Sequence, residues 1–377
     1  MLTNGALSGA APSHRLTFVQ RHLHLDGQLL TAVLLLSGVG LVILYSASNQ
    51  DLGELQRQII RLCAAFTAMV VMAQISPATL RRWTPWIFLA GLIMLVLVLF
   101  VGTMGKGAQR WLDLGVFRFQ PSELMKLAIP MMVAWYVSDR HLPPTFFQVV
   151  LSMILIAVPT ALIILQPDLG TAVLVCAAGF FVLFLAGLRW RIILTAVALI
   201  AALIPMFWFY FMHDYQKMRV LTLFNPERDP LGSGYHIIQS TIAIGSGGMF
   251  GKGWLNGTQS HLEFLPERNT DFIFAVFSEE FGLVGVLQLL VLYLFIIGRG
   301  LYIAAMAQDT YSRLVAGSLA LTFFVYVVVN VGMVSGLLPV VGLPLPLISY
   351  GGTSMVTLMA AFGILMSVHT HRKLWAS

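Results

Sequence analysis

Long apolar runs separated by short polar connections make up most of the chain. An α-helix rises about 1.5 Å per residue, so crossing about 30 Å of hydrocarbon takes about 20 apolar residues. About ten runs approach this length, and the predicted spans are 27–46, 57–75, 83–101, 122–138, 145–165, 170–187, 190–212, 272–297, 311–335 and 347–369. The pattern predicts an all-α polytopic membrane protein with about ten transmembrane helices.

Composition supports this class and narrows the alternatives. Hydrophobic residues form 58% of the chain and charged residues 10%, against roughly 25% charged in soluble domains. A net charge of +6 would suggest nucleic acid in a soluble protein, but membrane topology accounts for it here, so we expect no nucleic-acid partner. The two cysteines, Cys63 and Cys176, both fall in predicted spans, and we expect neither a disulfide nor a metal site.

The basic residues predict the orientation. Cytoplasmic loops carry an excess of Lys and Arg, and alternate connections hold Arg81, Arg82, Arg140, Arg189, Arg191, Arg299 and Arg313. With an even number of spans, both termini are then cytoplasmic. Residues 1–26 and 371–377 become tails around a membrane domain at 27–370, and the polar start of the chain does not read as a cleavable signal. The longest connection, 213–270, is predicted to be extracytoplasmic.

Asp271 stands where this long polar connection meets the apolar run that opens the eighth span. A carboxylate at the mouth of a buried helix is partly shielded from water, which raises its pKa and suits it to act as a general base. The structural alternative is a helix N-cap or a first-turn acid that the helix dipole favours. Position alone leaves both readings open.

Three shorter connections carry further candidates. Polar and apolar residues alternate in 105–115 around Gly115 and predict a small hairpin that lies on the membrane. Either Trp111 and Phe119 are interfacial anchors there, or Lys106 and Arg110 bind phosphate. Glu123 and Lys126 are three residues apart on one helix face, either as a structural ion pair or as the lining of a polar cavity. Asp168 either caps the next helix or lies at the rim of that cavity.

The connection 213–270 holds Arg219, Lys252 and Glu267, and 235–244 is apolar enough for a short re-entrant or interfacial helix. Glycines around Lys252 suggest a phosphate cradle, although no Walker pattern is present. Glu279 and Glu280 are predicted inside the eighth span. They would serve proton-coupled transport, or pack in neutral form against polar groups such as Asn330.

Several long strings resemble the SEDS family (shape, elongation, division and sporulation), and specifically its rod-shape, RodA-like branch. They are KGAQRWLDLG, QPSELMKL, QPDLGTA, NPERDPLGSGYHIIQS, AIGSGGMFGKGW, LEFLPERNTDFIFAVFSEEFGL and GLLPVVGLPLPLISYGGTS. The resemblance spans nearly the whole chain. It implies a ten-span glycosyltransferase of the bacterial inner membrane that polymerises lipid II into peptidoglycan glycan strands during elongation.

The resemblance also assigns roles to residues. The family's essential acid corresponds to Asp271, its charged helix pair to Glu123 and Lys126, and its first exterior loop to Arg110 and Trp111. Asn269 stands where the rod-shape branch commonly has histidine, so we assign it no catalytic part.

Glycosyl transfer needs a base for the acceptor hydroxyl and positive charge for the leaving pyrophosphate. We expect Asp271 to be the base. The substrate and pyrophosphate candidates are Lys126, Glu123, Arg110, Trp111, Arg219 and Lys252, and the secondary candidates are Asp168, Glu267 and Glu280. Phosphate chemistry makes Mg²⁺ or Mn²⁺ plausible, no ligand cluster identifies a metal site, and no organic cofactor is expected.

The implied partners are lipid II, undecaprenyl pyrophosphate-linked glycan, elongation complex proteins and a class B penicillin-binding protein that crosslinks the strands. We expect the penicillin-binding protein to contact the eighth and ninth spans and the long exterior segment 213–270, where small residues such as Gly282, Gly285 and Gly317 would permit close approach. Two other functions stay open. A lipid-linked precursor flippase would use Glu279 and Glu280, and a non-enzymatic scaffold would need only its helix surfaces.

Overall fold

Helices account for most of the fold. The computed structural model describes residues 23–105, 108–113, 115, 118–210, 212, 214–228, 233–258 and 267–371. Most of both predicted tails therefore lies outside the described residues. The helices are α1 (Gly27–Ala47), α2 (Leu52–Gln74), α3 (Pro77–Val101), α4 (Pro121–Ser138), α5 (Phe146–Leu165), α6 (Leu169–Leu185), α7 (Trp190–Tyr210), α8 (Asp214–Phe224), α9 (Ser233–Ser246), α10 (Ile273–Ala305), α11 (Thr310–Val334) and α12 (Thr353–Thr370).

The helices confirm the predicted class of a multi-pass membrane protein. Within the described residues, eight helices are long and apolar enough to cross a membrane, namely α1, α2, α3, α5, α7, α10, α11 and α12. The apolar α6 has 17 residues, and α4 carries the charged pair Glu123 and Lys126. Both pack among the other helices, but the total of ten spans stays a prediction.

Four predicted boundaries were wrong by several residues. Helix α3 begins at Pro77 and not at residue 83, and α10 ends at Ala305 and not at residue 297. Helix α2 begins at Leu52, where the side chain of Asp51 accepts a hydrogen bond from the amide of Gly53, so the helix starts before the apolar run does. Helix α12 begins at Thr353 and not near residue 347. Leu347 has a positive φ of 62°, and two prolines and two glycines in 344–352 keep this stretch from helical geometry.

Two clusters of buried apolar side chains hold the helices together. One joins α1, α2, α10, α11 and α12, and the other is centred on α3, α4, α5 and α6. Helix α11 contributes to both clusters and packs against α4, α6, α10 and α12. Helix α11 therefore connects the two clusters.

A buried ion pair joins α1 and α10 at the end of the bundle where α1 begins. Asp26 is fully buried, caps α1 through the amide of Leu29 (2.8 Å) and accepts a hydrogen bond from Arg299 Nη2 (2.6 Å). His369, at the end of α12, lies 2.9 Å from the same carboxylate. Burial by itself would raise the pKa of Asp26, but the hydrogen bonds from His369, Arg299 and Leu29 hold it below the usual range.

The predicted hairpin between α3 and α4 is confirmed. Strands β1 (Thr103–Gly105), β2 (Ala108–Asp113) and β3 (Arg118–Phe119) form an antiparallel sheet in that order. Gly115 has a φ of +80° in the turn between β2 and β3, a conformation that glycine adopts without strain. The predicted helix at 235–244 is also present, as part of α9.

Candidate active site

A short turn, 267–272, leads into α10 and carries Asp271. The segment 335–352 holds its backbone in place, because the amide of Tyr350 donates to Asn269 O (2.8 Å) and Ser349 Oγ donates to Thr270 O (2.5 Å). Asn330 Nδ2 on α11 also donates to Asp271 O (2.9 Å). These bonds use backbone oxygens, so they fix the position of Asp271 without using its carboxylate.

The carboxylate of Asp271 lies beside a glycine. A Cβ atom added to Gly342 would lie 3.4 Å from Asp271 Oδ2. The alternative reading of Asp271 as the N-cap of α10 was wrong, since the N-cap residue is Phe272, which makes no side-chain capping bond. Asp271 also precedes the first turn of the helix, because α10 begins only at Ile273.

The predicted pair Glu123 and Lys126 is a buried ion pair. Lys126 Nζ lies 2.7 Å from Glu123 Oε1, and both side chains are about 6% exposed. The lysine also lies over the ring of Tyr326 on α11, 5.2 Å from its centre. Glu123 Oε2 is buried without a hydrogen-bond partner among the described residues. The pair therefore keeps unused acceptor capacity in a shielded place.

Helix α11 contacts both this ion pair and the turn that carries Asp271. Tyr326 faces Lys126, and Asn330, one turn later, binds the backbone of Asp271. Four residues of α-helix rise about 6 Å and return to the same face. The base candidate and the buried lysine are thus placed at neighbouring levels of one helix face, which sequence spacing alone does not require.

Asp168 performs its predicted capping role and has further partners. Its Oδ1 accepts a hydrogen bond from the amide of Thr171 at the start of α6 (3.3 Å). Its Oδ2 accepts one from Gln120 Nε2 (3.1 Å) and lies 3.5 Å from Arg110 Nη1. Asp168 is 6% exposed, so this carboxylate joins the hairpin to the starts of α4 and α6.

Arg110 and Trp111 lie on β2, the middle strand of the hairpin. The side chain of Arg110 is 29% exposed, and its buried Nε has no hydrogen-bond partner among the described residues. A guanidinium has five N–H donors, so Arg110 can bind Asp168 and still offer donors to an anion. Trp111 is partly buried, and its role as anchor or substrate contact stays a prediction.

The start of α6, which Asp168 caps, packs against the segment around Gly342 that also borders Asp271. A Cβ atom added to Gly170, two residues after Asp168, would lie 2.9 Å from Val341 O and 3.3 Å from Leu343 Cδ2. Leu343 O also accepts a hydrogen bond from Asn330 (2.7 Å). The start of α6, the turn of Asp271 and one face of α11 therefore meet at 341–343.

Lys252 has a protein charge partner. Its Nζ lies 2.7 Å from Glu279 Oε1 and 2.7 Å from Thr258 Oγ1, and Thr258 Oγ1 also donates to Glu279 Oε1 (3.1 Å). Glu279 is fully buried, and a buried carboxylate needs a compensating charge. Lys252 supplies that charge, so its predicted pyrophosphate role has to compete with a structural one.

The predicted glycine-rich phosphate cradle is instead a docking segment for α10. The helix breaks at Gly282, with φ 64° and ψ −166°, and the amides of Lys252 and Gly253 donate to Glu279 O and Glu280 O (both 3.0 Å). A Cβ atom added to Gly251 would lie 2.1 Å from Glu280 O. The glycines let two backbones touch, which side chains would prevent.

Glu279 and Glu280 lie near one end of the helix bundle and not halfway along it. Ser46, at the end of α1, donates to Glu280 Oε1, while Asp26, at the start of α1, pairs with Arg299. Residues 280 and 299 are separated by about 28 Å of helix, nearly the full hydrocarbon thickness. Nor does Asn330 pack against these carboxylates, because its amide binds Asp271 O and Leu343 O.

Replacing Gly251 with alanine is expected to lower the free energy of unfolding by about 1–3 kcal/mol, because the new Cβ would collide with backbone and the φ of +77° disfavours alanine. Gly245→Ala is the matched control. Gly245 lies in α9 with no atom within 4 Å of an added Cβ, and alanine favours helix. Thermal unfolding in detergent measures both, and equal melting temperatures would contradict the docking of 247–253 on α10.

The remaining sequence candidates lie elsewhere. Arg219 is part of α8, and its side chain is outside the described residues. Glu267 is exposed and accepts a hydrogen bond from Thr270 Oγ1 (2.6 Å), which stabilises the turn before Asp271. Asn269 Nδ2 donates to Glu54 Oε2 (2.8 Å) and so ties the same turn to α2.

Sequence reasoning missed two arginines on α2. Arg57 Nε lies 3.4 Å from the hydroxyl of Tyr350, and the guanidinium of Arg61 stacks on the same ring, 4.3 Å from its centre. The amide of Tyr350 binds Asn269, two residues before Asp271. The four-residue spacing of Arg57 and Arg61 was the available signal, but Tyr350 is almost 300 positions away in the chain.

The family comparison agrees with this geometry. A family model described as cell cycle protein (FtsW, RodA and SpoVE) matches residues 27–374. The chain is 57% identical to the peptidoglycan glycosyltransferase MrdB of Escherichia coli K12, over 93% of this chain and 95% of that protein. It is 31% identical to the peptidoglycan glycosyltransferase RodA of Treponema pallidum, over 92% of this chain and 98% of that protein.

Solved structures give the same result. A chain from a peptidoglycan synthase complex, in a study of how polymerisation and crosslinking are coordinated, superposes with a TM-score of 0.82 at 35% identity, covering 93% of this chain and 99% of that one. The rod shape determining protein RodA of Thermus thermophilus superposes with a TM-score of 0.71 at 30% identity and the same coverage. The predicted SEDS resemblance is confirmed, and this chain belongs to the FtsW, RodA and SpoVE family of cell cycle proteins.

Proposed function

We propose that this chain is a peptidoglycan glycosyltransferase of the rod-shape type, which polymerises lipid II into glycan strands during cell elongation. The names of its relatives and the likeness to a chain of a peptidoglycan synthase complex support this function. The structural observation that carries it is the placement of Asp271 and Lys126 at neighbouring levels of α11. A proton acceptor near a shielded cation is what the reaction requires.

In the proposed step, the carboxylate of Asp271 takes the proton from the 4-hydroxyl of the acceptor sugar. The hydroxyl oxygen forms a bond to the anomeric carbon of the donor, and the bond from that carbon to the pyrophosphate oxygen breaks. Undecaprenyl pyrophosphate leaves with both bonding electrons. Asp271 is suited to this part because Asn330 and the segment 335–352 hold its backbone, so little ordering is left for the reaction itself.

The leaving pyrophosphate needs positive charge. Lys126 and Arg110 are the best placed candidates in the described structure, since each lies beside a carboxylate that orients it. Lys126 is shielded from water, and Arg110 is partly exposed. Arg57 and Arg61 add two cations near the turn of Asp271. Arg219 stays a candidate from the sequence, and Lys252 is a weaker one because Glu279 already engages it.

A divalent cation stays a prediction. The described residues contain no group of three or more His, Cys, Asp or Glu that would hold a metal ion. Mg²⁺ is often held by one or two carboxylates together with substrate phosphates. Glu123 is the carboxylate that would take part, through Oε2, and the ion would neutralise charge on the pyrophosphate.

Polymer formation from lipid II tests the function. The full-length chain, purified with its penicillin-binding partner, is expected to give a ladder of glycan polymer on gels while the transpeptidase is blocked by a β-lactam. A chelator followed by Mg²⁺ or Mn²⁺ tests the cation in the same assay. Failure of the well-folded complex to polymerise would overturn the proposal and leave the flippase and scaffold alternatives.

The same proposal places the chain in the bacterial inner membrane with both termini in the cytoplasm. Arg81, Arg82, Arg140 and Arg313 lie at the end of the bundle where α1 begins and α12 ends, in agreement with the positive-inside rule. Asp271 and the hairpin of Arg110 lie at the opposite end, on the side that the proposal makes extracytoplasmic.

We also propose a class B penicillin-binding protein as partner, through a membrane helix that packs on α10. The glycines expected to permit this contact are used inside the chain. Added Cβ atoms at Gly282 and Gly285 would lie 2.3 Å from Gly251 N and from Phe281 Cβ, and one at Gly317 would lie 2.5 Å from Leu185 Cδ1. The exposed face of α10 is a better candidate, since Leu287, Val291 and Leu294 are more than half exposed there.

Gly298 continues this exposed face and provides the test. A Cβ atom added to it would meet nothing within 4 Å, so Gly298→Leu is tolerated by the chain itself and obstructs a close helix partner. We expect at least a several-fold lower recovery of the penicillin-binding protein in mild detergent. Gly38→Leu on α1 is the matched control, because an added Cβ there also has open space. Equal recovery with both variants would contradict contact through α10.

A further inference from the structure

A large cavity opens at the opposite end of the bundle from Asp271. It has a volume of about 860 Å³ and lies between the start of α3, the end of α4, the start of α11 and the end of α12. Cavities of this size accommodate small organic ligands. The cavity-lining residues used below are Arg81, Arg82, Trp135, Asp139, Asp309 and Ser312.

Two arginines and two aspartates line this cavity, and they differ in how far their hydrogen-bonding groups are already used. Arg81 and Asp139 form an ion pair with each other, and Asp309 accepts the amide of Ser312 (2.9 Å) as the N-cap of α11. Both acids are therefore engaged. Arg82 is exposed at this cavity and makes no hydrogen bond or ion pair with another described residue, so the N–H donors of its guanidinium are available to a ligand as far as the described residues go. Arg82 is therefore the group of this cavity that can bind an anion.

A second polar group in the cavity also lacks a partner. Ser312 is 2% exposed, and its hydroxyl oxygen has no hydrogen-bond partner among the described residues. A buried hydroxyl without a partner is uncommon and costs free energy unless a ligand or water satisfies it. Ser312 and Arg82 together can donate hydrogen bonds to the oxygens of a phosphate.

The position of the cavity indicates where that phosphate comes from. Trp83 and Trp86, on the second and third turns of α3, are 57% and 64% exposed, and Trp135 lines the cavity itself. Exposed tryptophan is enriched at the headgroup level of membranes. Basic pockets between membrane helices bind anionic lipid headgroups. We therefore expect the cavity to lie at the depth at which phospholipid phosphates are found.

We propose that this cavity binds the phosphate of an anionic phospholipid from the adjacent leaflet, with Arg82 and Ser312 as phosphate ligands and Trp135 beside the glycerol and acyl region. The ligand is distinct from the substrate of the proposed polymerase, because the site lies at the other end of the helices. The inference depends on the cavity and not on the proposed function.

Native mass spectrometry of the full-length chain, released from detergent with added phosphatidylglycerol, tests the proposal. The wild-type chain is expected to retain phosphatidylglycerol over phosphatidylcholine. Arg82→Gln should weaken retention of phosphatidylglycerol by about tenfold or more, because it removes a charge-assisted hydrogen bond to the phosphate. Ser312→Ala should weaken it by a smaller factor. Arg313→Gln is the matched control, since Arg313 is exposed at the same end but does not line the cavity.

Three outcomes would overturn the proposal. The first is equal retention of phosphatidylglycerol by the Arg82 and Arg313 variants, and the second is equal retention of phosphatidylcholine by the wild-type chain. The third is binding of free glycerol phosphate as tightly as the lipid, which would indicate a soluble phosphate ligand. Thermal unfolding of each variant checks that the fold is retained. Ser312→Ala removes a hydroxyl that no described residue binds, so lipid retention by this variant tests the site even where Arg82→Gln lowers stability.

Discussion

Replacement of Asp271 with asparagine is expected to lower the rate of glycan polymerisation by about 100- to 10,000-fold, the usual range for loss of acid-base catalysis. Asparagine keeps the size of the side chain but cannot accept the proton of the acceptor hydroxyl. The fold should be retained. The hydrogen bond from Asn330 goes to the backbone oxygen of residue 271, and the N-cap of α10 is Phe272, so neither depends on the carboxylate.

The matched control for this prediction is Asp113→Asn. Asp113 lies on β2 at the same end of the molecule and is exposed. Its Oδ1 accepts a hydrogen bond from the amide of Gly115 (2.9 Å), and the side-chain oxygen of asparagine can accept the same bond. It should change polymerisation little. Gel-resolved polymer from lipid II and the melting temperature are measured for both variants. Robust polymer from a folded Asp271→Asn variant would remove Asp271 as the base.

Replacement of Lys126 with methionine is expected to reduce both stability and activity. It would leave Glu123 buried without its charge partner, and breaking a buried ion pair in this way typically costs about 3–5 kcal/mol. If Lys126 also meets the leaving pyrophosphate, polymerisation should fall by at least about 100-fold, as when an electrostatic partner of the transition state is removed. Melting temperature and initial rate of polymer formation are the two measurements.

A double variant separates the two effects. Glu123→Gln with Lys126→Met removes both charges, so most of the lost stability should return. Activity should stay low, because the cation is still absent. A double variant that regains both stability and polymerisation would show that Lys126 has only a structural part and would move the phosphate role to Arg110, Arg57 or Arg61.

Local signals in the sequence predicted several parts of the site. The spacing of Glu123 and Lys126 predicted an ion pair, and the place of Asp168 before an apolar run predicted a helix cap. The alternation of polar and apolar residues around Gly115 predicted the hairpin. Each depends on residues within a few positions of one another, where backbone geometry limits the possible contacts.

Predictions that depended on distant residues failed. The glycines near Lys252 were read as a phosphate cradle, yet they pack against the break of α10, and Lys252 pairs with Glu279, 27 positions away. Asn330 was expected beside the glutamates and instead binds Asp271 and Leu343. A buried polar group must find a partner, but its sequence does not say which of several suitable groups comes within reach.

The sequence by itself determined the membrane class and the family, and it led to the prediction that Asp271 is the base. Apolar length decides whether a segment can cross a bilayer, and long strings of side chains identify a family without coordinates. Only the tertiary structure decided that α11 contacts Asp271 and Lys126 at neighbouring levels, that Arg57 and Arg61 reach Tyr350, and that α10 breaks at Gly282. These contacts join residues tens to hundreds of positions apart. Which of them form depends on how the helices pack together, and local sequence carries no direct record of that packing.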